Sequence, residues 1–204
     1  MARLSLLLWD VGGVLLSNGW DRASRQTAVT HFGLDAEEFE RRHALVEADF
    51  ETARLGLDGY LDATVFYAPR TFSREAFREF MCQQSTAHPG AIAAARALRD
   101  AGTYRMATLN NESRELNEYR IRTFGLREIF HDFFSSCYTG RRKPDPDAYR
   151  NALDITQQAP AESLFLDDRP ENVEAAARLG LRTLRVQDPG HLREELALAG
   201  VSAG

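Results

Sequence analysis

Leu4-Ser5-Leu6-Leu7-Leu8-Trp9-Asp10-Val11-Gly12-Gly13-Val14-Leu15 is the stretch that decides how this chain reads. A short, mostly apolar run of strand length stops at one acid, and a glycine pair follows two residues later. That pattern describes a buried strand delivering Asp10 into a tight loop.

The sequence after this strand has two different rhythms. From Leu16 to about Gln84 every periodic segment is helical: about Asp21–Phe32 with Gly33 as its stop, about Asp35–Arg54, then Asp58–Tyr67 and Arg74–Gln84. Asp35 with Glu38 three residues on is a capping-box-like start, and Ser73 caps the last of the four. After Pro89 strands and helices alternate. Strands are expected near Tyr104–Leu109, Phe133–Cys137, Ser163–Leu166 and Arg182–Val186, with helices near Gly90–Ala101, Glu112–Thr123, Asp145–Leu153 and Pro170–Leu179. Such alternation predicts an α/β fold, a Rossmann-like parallel sheet with crossover helices. The helical block interrupts it as an insertion, giving a core unit of residues 1–16 and 86–204 and an all-helical unit of residues 17–85. The tail from Ala199 onward is expected to fray.

Composition narrows the function. The 204 residues are 44% hydrophobic and 27% charged, enough to bury a core. A net charge of −5 argues against a broad basic face for nucleic acid. No apolar run approaches the roughly 18 residues of a membrane span, and Leu4–Trp9 runs into Asp10 without a cleavage site. Two cysteines, Cys82 and Cys137, exclude a disulfide framework, and a cytoplasmic location is the expectation.

Polar residues recur at the C-terminal ends of the expected strands: Asp10, Asn110-Asn111, Lys143 and Asp167-Asp168. Ligands of open parallel sheets bind at that rim. Two carboxylate positions, one ammonium and two amides suit a metal held together with an anion. Singly, each has an ordinary role open to it, such as a turn start or a helix cap. Lys143 stands out because it is the single lysine among 25 basic residues. A compact ammonium is not interchangeable with a guanidinium in a tight site.

Four segments carry a resemblance. Asp10-Val11-Gly12-Gly13-Val14-Leu15, Thr108-Leu109-Asn110-Asn111, Gly140-Arg141-Arg142-Lys143-Pro144 and Phe165-Leu166-Asp167-Asp168-Arg169-Pro170-Glu171-Asn172 resemble, in order, the motifs of the haloacid dehalogenase (HAD) superfamily. The helical insertion is similar to the C1 cap of its subfamily I. The resemblance implies a Mg²⁺-dependent phosphatase of a small phosphorylated metabolite, with sugar phosphates among the candidates. Asp10 would be the nucleophile that becomes an aspartyl-phosphate, and Lys143 would neutralise it. The metal would sit on the Asp10 carboxylate, the Gly12 carbonyl and Asp168, helped by Asp167. Asn110, Asn111, Gly12 and Gly13 would bind the phosphoryl oxygens. A monomer or homodimer is expected, with no nucleic-acid or membrane partner.

Two positions depart from the family pattern. Gly12 stands where phosphatases of the superfamily usually carry a second Asp as acid and base, help worth about 10²–10⁴-fold. Asn110 stands where Ser or Thr is usual. The alternatives to a phosphatase are a catalytically weak phospholigand-binding protein and a 2-haloacid dehalogenase. A dehalogenase needs no leaving-group proton, but it leaves the acidic pair Asp167-Asp168 unexplained. Candidates to face substrate from the helical unit are Asn18, Trp20, Arg22, Arg25, His43, Glu47 and Arg54, and His43 with Glu47 is the expected substitute acid. His88, His131 and His191 have no metal-ligand spacing.

Overall fold

The computed structural model describes residues 3–203. Met1, Ala2 and Gly204, which the sequence reading assigns to the core unit, lie outside the described residues. In chain order the elements are β1 (Leu6–Trp9), α1 (Arg22–Phe32), α2 (Ala36–Glu51), α3 (Leu57–Thr64), α4 (Arg74–Gln83), α5 (Pro89–Ala101), β2 (Arg105–Asn110), α6 (Arg114–Thr123), β3 (Asp132–Ser135), α7 (Ser136–Thr139), α8 (Pro146–Thr156), β4 (Ser163–Asp167), α9 (Pro170–Arg178), β5 (Arg182–Arg185) and α10 (Leu192–Leu198).

The five strands pair in parallel in the order β3-β2-β1-β4-β5. β1 is central, and all four of its residues are buried. Its apolar run does not alternate because helices cover both faces. Leu7 and Trp9 pack with α5, α6 and α10, while Leu6 and Leu8 pack with α8 and α9. The chain leaves β1 toward β2 and β3, then crosses back to β4. The C-terminal ends of β1 and β4 therefore form the switch point where such sheets bind ligands.

Helices α1–α4 have a separate apolar cluster built on Trp20, Phe39, Phe50, Tyr60, Phe77 and Met81. The expected caps Asp35 and Ser73 form, and Asp21 caps α1 in the same way, each accepting a backbone N–H from three residues on. Among the described residues no helix is long and apolar enough to cross a membrane.

Several boundaries shift from the sequence reading, and three of the differences have structural consequences. β2 runs one residue later and takes Asn110 into the strand. Cys137, expected at the end of β3, lies in the single turn α7 instead, because a short apolar run does not separate a strand from a buried helical turn. The tail does not fray at Ala199. The unexpected helix α10 packs on α5, the Ala199 carbonyl accepts from Arg182, and Val201 is buried.

Candidate active site

β1 and β4 place their terminal acids side by side. The Asp10 N–H donates to the Leu166 carbonyl, locking the end of β1 to β4. Lys143 Nζ lies 3.0 Å from Asp10 Oδ1 and 2.6 Å from Asp167 Oδ2, and its side chain is 2% exposed. Asp167 is fully committed. The Asn172 amide donates to both of its oxygens, and the Arg169 N–H donates to Oδ1. Its contacts make it the anchor of Lys143. Asp168 points toward the glycine loop. A Cβ on Gly13, whose φ is +73°, would lie 2.3 Å from Asp168 Oδ2, so this close approach requires glycine.

Asp10, Asp167 and Asp168 each bring one oxygen within 4.8 Å of the others. Among the described residues Asp168 Oδ1 is buried without a partner. Burial pushes the Asp10 carboxyl up to about 8, against the pull of Lys143 and with added repulsion from Asp167 and Asp168. Burial likewise raises Asp168, reinforced by Asp167. For Lys143 burial works against the charge, but Asp10 and Asp167 outweigh it and shift the ammonium upward. The site thus has more negative charge than one lysine offsets, and oxygen donors suited to a hard cation.

The expected phosphoryl contacts divide. Asn110 does not line the cavity: its amide donates to Asn117 and its carbonyl accepts from Ser135 Oγ, beneath the rim. The Gly13 N–H is also taken, donating to the Leu16 carbonyl at 2.7 Å. Asn111 lines the cavity and clamps Lys143: its Nδ2 donates to the Lys143 carbonyl at 2.8 Å, and the Lys143 N–H donates back to Oδ1 at 2.9 Å. Asn111→Ala will therefore lower kcat by about ten- to a hundredfold while KM moves much less, since misplacement of a charged group is felt mainly in the transition state. Steady-state kinetics check this.

Asp10, Gly12, Asn111 and Lys143 floor a cavity of about 450 Å³ between the sheet rim and α1–α2. Asn18, Trp20, Arg22, Arg25, His43 and Glu47 line it as expected. Arg54 is not brought there; it pairs with Asp49. Arg25 is held bidentately by Glu40. His43 Nδ1 meets the Tyr60 hydroxyl at 2.9 Å, and Nε2 lies 3.7 Å from Glu47, beyond hydrogen-bond reach. His131 and His191 bond to Met106 and Asp188 instead.

Sequence reasoning assigned no role to Asn172, Glu51, Arg142, Glu112 or Arg120. Arg142, next to Lys143, pairs with Glu51 of α2 at 2.6 Å, and the Glu51 carbonyl accepts from Ser136, so α2 is docked on the loop that carries the lysine. Burial pushes the Glu51 carboxyl up from 4.5 to about 7, opposed by Arg142 and reinforced by Glu112 and Glu47. Because the folded value lies above the unfolded one, this group's stabilisation fades as pH rises from about 4.5 to about 7. Glu51→Gln will flatten that part of the stability profile, read as melting temperature against pH. Arg120 and Glu112 form a buried pair at 3.0 Å. Their signal was an arginine on the face of α6 that also buries Leu116 and Ile121.

Comparison with known proteins agrees with the geometry. Residues 4–180 match the family model of the haloacid dehalogenase-like hydrolases. Flavin mononucleotide hydrolase 1 of Arabidopsis thaliana is 25% identical over 203 residues, 98% of this chain and 79% of that protein. Bifunctional epoxide hydrolase 2 of Rattus norvegicus is 31% identical over 132 residues, 63% of this chain but only 24% of that protein's length. A HAD family enzyme of Bacteroides thetaiotaomicron, solved with magnesium and inorganic phosphate, superposes with a TM-score of 0.77 at 20% identity, covering 93% of this chain and 98% of that one. With the strand order, the acid trio and a match over most of its length, the chain belongs to the haloacid dehalogenase-like hydrolases.

Proposed function

We propose that this hydrolase is a Mg²⁺-dependent phosphatase of a small phosphorylated metabolite, acting through an aspartyl-phosphate on Asp10. The observation that carries the reading is Lys143 wedged between Asp10 and Asp167, beside the unpartnered oxygen of Asp168. A buried carboxylate trio with a spare oxygen fits a hard divalent cation. Asp10, Asp168 and the Gly12 carbonyl would hold it. When bound, Mg²⁺ offsets the carboxylates' charge and that of the phosphoryl group. The same trio disfavours the dehalogenase reading, which leaves those charges unbalanced. The magnesium and phosphate in the Bacteroides enzyme and the activity named for the Arabidopsis hydrolase support the same chemistry.

In this reading the Asp10 carboxylate attacks phosphorus and the bond to the leaving oxygen breaks. Lys143 faces the nucleophile and the phosphoryl oxygens with a charge that Asp167 keeps in place. Asn111 holds the lysine loop, and its backbone N–H with that of Gly12 binds the phosphoryl oxygens. Water then attacks the aspartyl-phosphate and releases phosphate. Residues 17–85 act as a cap on the core of residues 1–16 and 86–204, closing the cavity against water.

Phosphate release from sugar phosphates, acyl phosphates and an activated aryl phosphate tests the proposal. Turnover in Mg²⁺ that falls at least about 10²-fold in EDTA is the expected result. A folded protein that releases none, even from the activated ester, would overturn it in favour of a phospholigand-binding protein.

A further inference from the structure

Gly12 lies two residues after Asp10, and the groups packed against it have a consequence for chemistry. A Cβ at Gly12 would meet Asn18 Oδ1 at 3.2 Å and Arg120 Nη1 at 3.7 Å. Both residues line the cavity together with Asp10 and Gly12. Neither an amide nor a guanidinium gives up a proton at neutral pH. The three atoms nearest a side chain at Gly12 thus belong to Asn18 and to the guanidinium of the Arg120–Glu112 pair, and none of them is an acid.

The fold makes room for that charge. Arg120 is 2% exposed. Its Nε donates to Ser85 Oγ, its Nη2 donates to the Ser17 carbonyl, and its Nη1 pairs with Glu112 Oε2. Those three partners account for three of the five guanidinium hydrogens, leaving one on each terminal nitrogen. Gly19, at φ +69°, lets the group in, since a Cβ there would lie 1.6 Å from Nη2. A solvated surface arginine would need none of this.

Resting on the phosphatase reading, we propose that Arg120 acts as a catalytic residue on the leaving-group side, stabilising the departing oxygen as an anion by charge and hydrogen bonding without donating a proton. As Asp10 bonds to phosphorus, the leaving oxygen takes the electron pair of the broken P–O bond, and the Nη1 hydrogen bond shortens onto it. In the second step water bonds to phosphorus, the P–O bond to Asp10 breaks, and the proton lost by water ends on the phosphate product. The substrates are thereby restricted to phosphates whose leaving oxygen is already weakly basic, the class that includes acyl phosphates, enol phosphates and anomeric sugar phosphates.

A series of aryl phosphates with leaving phenols of increasing pKa, in Mg²⁺, tests this on the wild-type protein, Arg120→Gln and Arg120→Lys. The expected wild-type kcat/KM falls between about threefold and tenfold per unit of leaving-group pKa, because no proton transfer levels the series. Arg120→Gln loses about tenfold on the most acidic phenol and about 10²–10³-fold on the least acidic, with Arg120→Lys between it and wild type. Equal losses across the series would assign Arg120 a purely structural role between Ser17 and Ser85. A flat wild-type series with chemistry rate-limiting would mean that another residue supplies a proton. Either result overturns the proposal while leaving the phosphatase reading intact, and the wild-type series decides even if Arg120→Gln does not fold. Absence of wild-type turnover on every ester overturns both.

Discussion

Asp10→Asn will lower phosphate release at least about 10⁴-fold, the scale on which loss of a covalent nucleophile is felt, while the fold survives. An amide of the same shape cannot take phosphorus in a stable acyl linkage, and the two neighbouring aspartates are placed for other work. Asp167 is held by Lys143, Asn172 and the Arg169 N–H, and Asp168 points at the glycine loop. The variant will also make the metal-free protein more stable at neutral pH. Burial raises the Asp10 carboxyl to about 8, so ionising it costs stability as pH climbs from about 3.8 to about 8, and asparagine removes that cost. Thermal unfolding in EDTA across that pH range, beside phosphate-release assays, checks both parts. Turnover near the wild-type level would remove the covalent mechanism.

Lys143→Met will carry the second-largest penalty, a loss of about 10²–10³-fold in kcat. Methionine fills a similar volume but leaves Asp10 and Asp167 facing each other without the ammonium that now lies 3.0 and 2.6 Å from them. Breaking a buried pair by removing one partner costs about 3–5 kcal/mol, so the melting temperature will fall, and most steeply above the pH where Asp10 ionises. Lys143→Arg will not restore activity, because a planar fork does not fit a slot shaped around one nitrogen. Mg²⁺ titration followed by melting temperature separates the two effects, since added cation recovers stability without recovering kcat.

Much of this site could be read from residue order. Asp10 follows β1, Asp167 ends β4 with Asp168 next to it, and Lys143 lies beyond β3 on the loop after α7; a parallel sheet brings its strand ends to one rim whatever the helices between them do. The all-helical stretch from Leu16 to about Gln84 was legible as well, and α1 to α4 are the elements found there. What was not legible depended on side-chain partners. Asn110 and Asn111 are adjacent and chemically identical. Strand pleat turns the first under the rim toward Asn117 and Ser135, while the second reaches the Lys143 backbone. Gly13 looked like a phosphoryl donor, but its N–H closes the loop on Leu16. Glu51 and Arg120 are far from any motif and reach the cavity only because α2 docks on the lysine loop and α6 passes behind both segments that join the helical block to the sheet.

The proposed covalent intermediate offers the most direct test. In the proposed mechanism no acid or base stands at Gly12 to speed water attack on the aspartyl-phosphate, so the phosphoprotein is expected to accumulate during turnover. An activated aryl phosphate or an acyl phosphate would be mixed with the protein in Mg²⁺ and quenched in acid, and the intact mass and peptide map recorded. The predicted result is one phosphoryl group per chain, located on the peptide containing Asp10, absent in Asp10→Asn and absent in EDTA. Phosphate release without any phosphoprotein, or a phosphoryl group on another residue, would contradict catalysis through Asp10.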